Sequence, residues 1–267
     1  MANVIPIENL NDPRLGPYRA LKDRDVARKG GRFIAEGEMV VRRLLESAFA
    51  TESVLLSQRR VAEMAPIVPD GVSVYVLSDS LIEQVVGFRF HSGVMAVGLR
   101  GRKLSLDDLP RDAQAMRIMV CPEIANTENL GGLIRIAAAF GMDAMILGPR
   151  SCDPFFRQAV RVSMGNVFKL RIVQSEDLLH DLDRLRNEWK ISLIATVLHD
   201  DAAESLAEVK PPARFALLFG NEAQGLSEEV IQRCDRRVTI PMRLGTDSLN
   251  VMVAAGIFLF HFTRSEI

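Results

Sequence analysis

Asn129 and Arg135 lie in the tract Asn126-Thr127-Glu128-Asn129-Leu130-Gly131-Gly132-Leu133-Ile134-Arg135, where a polar loop runs into an apolar helix. Glycines at a helix start let a ligand approach the backbone, and the helix N-terminus favours anions. Arg135 is flanked by Leu133, Ile134, Ile136 and Ala137. A guanidinium among apolar neighbours is costly unless it is paired. It therefore either reaches an interior carboxylate or serves a ligand. The tract contains neither a dinucleotide-binding GxGxxG nor a phosphate-cradling GxxxxGK[ST], which argues against both of those chemistries.

Two tracts nearer the C-terminus have the same look of a strand ending in polar groups. Phe219-Gly220-Asn221-Glu222 leaves an apolar run, and Gly225-Leu226-Ser227 follows within a few residues. Gly220 brings no side chain to block a ligand, while Asn221 and Glu222 offer an amide and a carboxylate. The same residues would also serve an ordinary strand-turn-helix connection. Ile240-Pro241-Met242 is followed by Ser248-Leu249-Asn250, after which the chain turns strongly apolar. Ser248 suits the N-cap of that last helix. The functional alternative is a loop folded over a ligand, with Ile240 and Leu249 as apolar walls.

Two basic features point toward phosphate. Arg157 and Arg161 are spaced to share one helix face, where a pair of guanidinium groups matches phosphodiester oxygens, although a solvated face reads the same way. Between Arg14 and Arg32 there are seven basic residues against two acidic ones. Such a patch is a candidate backbone contact for nucleic acid, and equally a solvated surface.

The elements that must position these residues fall into two groups. From about residue 10 to 99 short helices and strands alternate. Arg14–Lys29 reads as a charged helix, and Arg32–Glu36, Ser53–Leu56, Val72–Val76 and Val94–Val97 read as strands. Helical spacing follows at Met39–Leu45 and at Asp79–Val86. Residues 101–115 are polar and aperiodic, as a linker would be. From Met116 the alternation restarts, with strands at Ile118–Cys121, Ala144–Leu147, Ile191–Ala195 and Phe215–Phe219. Helices are expected at Leu130–Phe140 and from Leu178 to Trp189, with Ser175-Glu176-Asp177 as its cap. Strands without polar interruption, separated by helices, indicate a parallel sheet covered on both faces. The fold class is therefore α/β, divided as 1–100, a linker at 101–115, and 116–267.

Bulk properties fit that frame. Hydrophobic residues make up 48% of the 267, enough for packed cores, and the net charge of −1 supplies no global attraction for nucleic acid. Three separated cysteines and four scattered histidines suggest neither a disulfide framework nor a zinc site. The longest apolar run, residues 251–260, is too short to cross a bilayer, and no leader pattern stands at the start. A cytoplasmic location is the expectation.

Taken together and in this order, the three tracts resemble the SpoU/TrmH-type RNA methyltransferases of the SPOUT superfamily. The first motif is matched by Asn129, Gly131 and Arg135. The second is matched by Gly220-Asn221-Glu222 with Gly225-Leu226-Ser227, and the third by Ile240-Pro241-Met242 with Ser248-Leu249-Asn250. Less specifically, Phe33–Gly37 and His91–Val97 are similar to phrases of the RNA substrate-binding domain often joined to this family. There are departures: Asn126-Thr127 stands where Asp-Pro is frequent, Met252 where serine is common, and Arg243-Leu244 where a glycine usually follows.

The resemblance implies a deep trefoil knot in the C-terminal domain and a homodimer with the terminal helix at its interface. It implies S-adenosylmethionine as cofactor, held by Gly220, Asn221, Ile240, Met242 and Leu249, with no metal. The reaction it implies is methylation of a ribose 2′-hydroxyl in structured RNA, ribosomal or transfer. Arg135 would stand beside that hydroxyl and Asn129 would orient it. Glu222, Ser248, Asn250, Arg157 and Arg161 would meet the substrate. A non-catalytic RNA-binding or ribosome-assembly protein on the same fold is the alternative.

Overall fold

A computed structural model describes residues 3–19, 31–198, 200, 202–221, 223–244 and 246–264. The chain forms two units. The first comprises residues 1–102 and 154–169, and the second comprises 103–153 and 170–267. The longer helices are α1 (Glu38–Leu45), α2 (Asp79–Val86), α3 (Thr127–Ala139), α4 (Arg157–Val162), α5 (Leu178–Asn187) and α6 (Val251–Thr263).

In the first unit β1 (Asn3–Pro6), β2 (Arg32–Glu36), β3 (Thr51–Ser57), β4 (Ser73–Leu77) and β5 (Val94–Leu99) form one mixed sheet in the order β1-β4-β3-β5-β2. β4 lies parallel to β1 and β3, whereas β5 runs antiparallel to β2 and β3. On one side Tyr18, fully buried, joins its hydroxyl to Ser53 Oγ at 2.8 Å. Phe33 meets Phe49, Phe155 and Phe168 at ring separations of 5.1–5.9 Å. Two of those four rings lie in residues 154–169, and this packing is why that segment belongs to the first unit rather than to the continuous 116–267 block expected from composition. Of the expected Arg14–Lys29 helix, one turn at Gly16–Arg19 is present and residues 20–29 lie outside the described residues.

In the second unit all seven strands are parallel: β6 (Met116–Cys121), β7 (Ala144–Leu147), β8 (Arg171–Gln174), β9 (Ser192–Thr196), β10 (Glu204–Ser205), β11 (Arg214–Leu218) and β12 (Arg236–Thr239). Their order is β10-β12-β9-β11-β6-β7-β8. The apolar residues of the central strands are buried, as expected of a sheet with helices on both faces. On one face Leu182, Leu185 and Trp189 of the α5 region pack with Ile118, Ile146 and Leu193. Asp177 starts α5 by accepting from the His180 amide at 3.1 Å. Leu106 and Leu109, inside the stretch that composition marked as a linker, are buried in this same core.

α3 shows how local sequence fixes an element. Asn126 caps it, its Oδ1 accepting from the amides of Glu128 (2.8 Å) and Asn129 (3.2 Å). Glu128 in the first turn favours the helix dipole. The helix stops where Gly141 takes φ +65°. There the Met142 amide bonds the Ala137 carbonyl and the Gly141 amide bonds that of Ala138, so the end is a Schellman motif. The terminal helix α6 packs directly on α3. The Met252 side chain occupies the place of a Cβ at Gly132, so a larger residue there would have to displace that methionine. α6 begins two residues later than its sequence suggested. Asn250, not Ser248, is the N-cap, accepting from the Met252 amide at 2.8 Å. An Asn side chain performs this as well as a Ser, and only backbone direction decides between them.

Candidate active site

β12, β9 and β11 are consecutive in the sheet and parallel, so the loops leaving their C-terminal ends meet. These loops enclose a cavity of about 270 Å³. A crevice beyond the carboxyl ends of parallel strands is where open α/β sheets bind ligands. Thr196, Val197 and Leu198 reach it from β9, Phe219, Gly220, Asn221 and Gly225 from β11, and Ile240 and Met242 from β12. Ser248, Leu249 and Asn250 continue the wall into α6, which adds Ala254 and Phe258, while Asn129 enters from α3.

The loop after β11 is a tight hairpin. Asn221 and Gly225 exchange backbone hydrogen bonds of 2.9 and 2.8 Å, and Gly225 takes φ +69°. Asn221 Oδ1 accepts from the amides of Ala223 (2.9 Å) and Gln224 (3.3 Å), so the side chain builds the turn. A Cβ on Gly220 would run into the backbone of Gly225 and Leu226. Gly220 is thus required by the hairpin's own closure, a more immediate reason than clearance for a ligand.

The other walls are tied as firmly. Thr196 Oγ1 donates to the Leu218 carbonyl at 2.8 Å and links β9 to β11 at the cavity floor. Asn250 Nδ2 donates to Asn129 Oδ1 at 3.3 Å while Asn250 Oδ1 caps α6. One asparagine therefore joins the first motif to the third. Asp200 accepts from the Ala202 amide at 2.9 Å and from Arg237 at 3.2 Å. The amide and the guanidinium hold its carboxyl below the usual range and fix the loop after β9 to β12.

No charged side chain lines the cavity among the described residues. Apolar walls with a few amide and hydroxyl groups suit a flat heterocycle with polar substituents. The absence of a lining cation spares a positively charged ligand any repulsion. Among the described residues no group of three metal-ligating side chains occurs.

Of the residues singled out by sequence, Asn129, Gly220, Asn221, Ile240, Met242, Ser248, Leu249 and Asn250 converge on this cavity. Glu222 lies outside the described residues. Arg135 does not line the cavity. It stands on α3 six residues beyond Asn129, about 9 Å further along the axis, and is exposed. Among the described residues no carboxylate pairs with it. Arg157 and Arg161 do share α4, in the first unit. Arg157 pairs with Glu36 at 2.6 Å and lies over the Phe88 ring, and Arg161 donates to Gln158 at 2.8 Å. Within the N-terminal basic run Arg14 binds Asp12 and Arg32 binds Glu52, both at 2.6 Å, while Lys22, Arg24, Arg28 and Lys29 lie outside the described residues. Thr196, Val197 and Leu198 were not anticipated. Their residue types are unremarkable, and only the position of β9 between β11 and β12 brings them to the site.

Residues 116–260 match the model of the SpoU rRNA methylase family. An uncharacterised tRNA/rRNA methyltransferase of Mycobacterium bovis is 36% identical over 263 residues, covering 96% of this chain and 90% of that protein. A 23S rRNA (guanosine(2553)-2′-O)-methyltransferase of Bacillus subtilis is 26% identical, covering 96% and 98%. Among solved structures, an AdoMet-bound rRNA methyltransferase from Sinorhizobium meliloti superposes with a TM-score of 0.84 at 25% identity over 99% of both chains.

Proposed function

The chain belongs to the SpoU rRNA methylase family, and from that premise we propose that it transfers a methyl group from S-adenosylmethionine to a ribose 2′-hydroxyl of structured RNA. The observation that carries this is the cavity at the ends of β9, β11 and β12, where all three motif loops meet. Relatives named for 23S rRNA support ribosomal over transfer RNA as the substrate.

S-adenosylmethionine, when bound, supplies a methyl group already activated by its sulfonium leaving group. The chain's own task is to hold the donor and to make the hydroxyl nucleophilic in line with it. Ile240, Leu249 and Phe258 give apolar surface for a purine, and the amides of Asn129 and Asn250 hold the loops in register. The Arg135 guanidinium is a planar fork of donors with no acceptor. It therefore acts by stabilising the developing alkoxide and the neighbouring phosphate. The hydroxyl proton leaves to solvent or to a phosphate oxygen.

Arg135 is outside its own cavity, so the site is completed by a second copy. α6 exposes Val253 (52%), Ile257 (40%) and Phe260 (57%) at helical spacing, a stripe of the kind that homodimers bury. Arg135 of one protomer then serves the cavity of the other. The loops after β11 and β12 carry the family's trefoil knot, a reading supported by β9 lying out of chain order between β12 and β11. The first unit meets the RNA. The protein acts in the cytoplasm, in keeping with the finding that no helix of the described residues is long and apolar enough to cross a membrane.

The test is methylation of 23S rRNA transcripts, with 2′-O-methyl sites mapped by mass spectrometry, beside calorimetry with S-adenosylmethionine. Saturable cofactor binding and a discrete modified position are expected. RNA binding without cofactor affinity would instead identify a non-catalytic RNA-binding protein.

A further inference from the structure

The chain between β12 and α6 leaves two conspicuous side chains at the cavity mouth. Met242 and Ser248 both line the cavity, so residues 243–247 are strung between two positions of its wall. Leu244 stands two residues from Met242, which places its Cα within about 7.6 Å of that wall residue's Cα. Its side chain is fully exposed, at 104%, and its backbone has φ +57°. A leucine is disfavoured in that left-handed conformation, where glycine or asparagine is usual. Nothing in the fold repays it, since the side chain touches no core. Beside it Arg243 is exposed and its guanidinium has no partner among the described residues. On the neighbouring β9 loop, Leu198 lines the cavity and is half-exposed.

An apolar projection next to an unpaired cation matches one occupant in particular. Single-stranded or extruded nucleotides are gripped by packing against the base faces and by cations on the phosphates. A nucleotide whose ribose must enter a cavity of about 270 Å³ leaves its stack, and an apolar wedge commonly fills the gap that remains. A second copy of the chain would instead favour a wholly apolar face, such as that of α6. We propose that Leu244 is a wedge packed against the base adjoining the methylated nucleotide, with Arg243 on the intervening phosphate. This rests on the RNA methyl-transfer reading and adds the residues that admit the substrate.

The experiment compares full-length Leu244→Gly, Leu244→Ala and Arg243→Gln with wild type. It measures kcat/KM on the rRNA transcript, S-adenosylmethionine affinity by calorimetry, thermal midpoint and sedimentation. Both Leu244 variants are expected to lose about tenfold or more in kcat/KM with unchanged cofactor affinity and oligomeric state. Leu244→Gly should keep or raise the thermal midpoint, because it relieves the left-handed backbone. Arg243→Gln should raise KM and flatten the salt dependence of RNA binding. Leu244 variants with wild-type kcat/KM overturn the proposal, and so does a loss of activity that accompanies dissociation into single chains. Wild-type protein inert on RNA sinks the methyl-transfer reading and this one together, whereas active wild type with unaffected variants sinks this one alone.

Discussion

At the residue scale the site depends on asparagines that hold loops rather than on groups that titrate. Asn250 caps α6 with its oxygen and reaches Asn129 with its amide. Asn221 spends its oxygen on the hairpin after β11. The residue types were legible in the sequence, but their division of labour was not, because it depends on which way each amide faces. Gly220→Ala is expected to force the hairpin open against the Gly225–Leu226 backbone. A fall of about 1–3 kcal/mol in stability, with weakened S-adenosylmethionine binding in calorimetry, is the outcome to look for. Arg135→Ala should leave cofactor affinity intact and lower turnover by about 10²–10³-fold, the usual effect of removing one preorganised charge. Wild-type turnover in that variant would remove the arginine from the chemistry.

At the element scale, uninterrupted apolar strands could be read directly. Ala144–Leu147 falls where its run of apolar residues indicated, and helix α2 spans Asp79–Val86 as its periodicity indicated. Strands with polar ends could not: β1 and β8 each keep only two adjacent apolar strand formers among 4 residues, and β10 has 2 polar residues, so none carries an uninterrupted apolar run to recognise. The 101–115 stretch misled for a different reason. Its polar residues are a lattice around one buried ring. Asp107 accepts from Arg184 (2.8 Å) and Arg111 (2.7 Å), Glu188 closes the circuit, and both guanidiniums lie over Trp189. Arg184 and then Arg111 hold the Asp107 carboxyl below its ordinary 3.8, and Arg184 likewise lowers Glu188 below 4.5. Lowered carboxyls contribute stability above their ordinary values and lose it as the pH falls through the lowered ones. The thermal midpoint of Asp107→Asn should therefore lie below that of wild type at neutral pH, with the gap closing as the pH falls below the ordinary 3.8 and through the lowered value. A gap that persists in acid would remove charge from the explanation.

At the scale of the whole molecule, the proposed homodimer is what would bring Arg135 to a cavity. Phe260→Asp and Ile257→Asp, on the outer face of α6, are expected to give single chains in sedimentation and to abolish methylation while cofactor binding is weakened far less. A sharper measurement mixes Arg135→Ala with Gly220→Ala after joint refolding. If the arginine works across the interface, random pairing restores about a quarter of wild-type sites. If it works within its own chain, the mixture stays inactive. Neither partnership was visible in any single motif, because the exposed stripe on α6 and the exposed arginine on α3 gain meaning only once α3 and α6 are seen to pack together.

The placement of residues 154–169 reaches beyond catalysis, into how the protein is made. Phe155 and Phe168 complete the ring cluster around Phe33 and Phe49, yet the ribosome produces them after β6, α3 and β7. The N-terminal unit therefore lacks two of its four clustered rings until Phe168 has been synthesised, so the completion of its core trails its own synthesis.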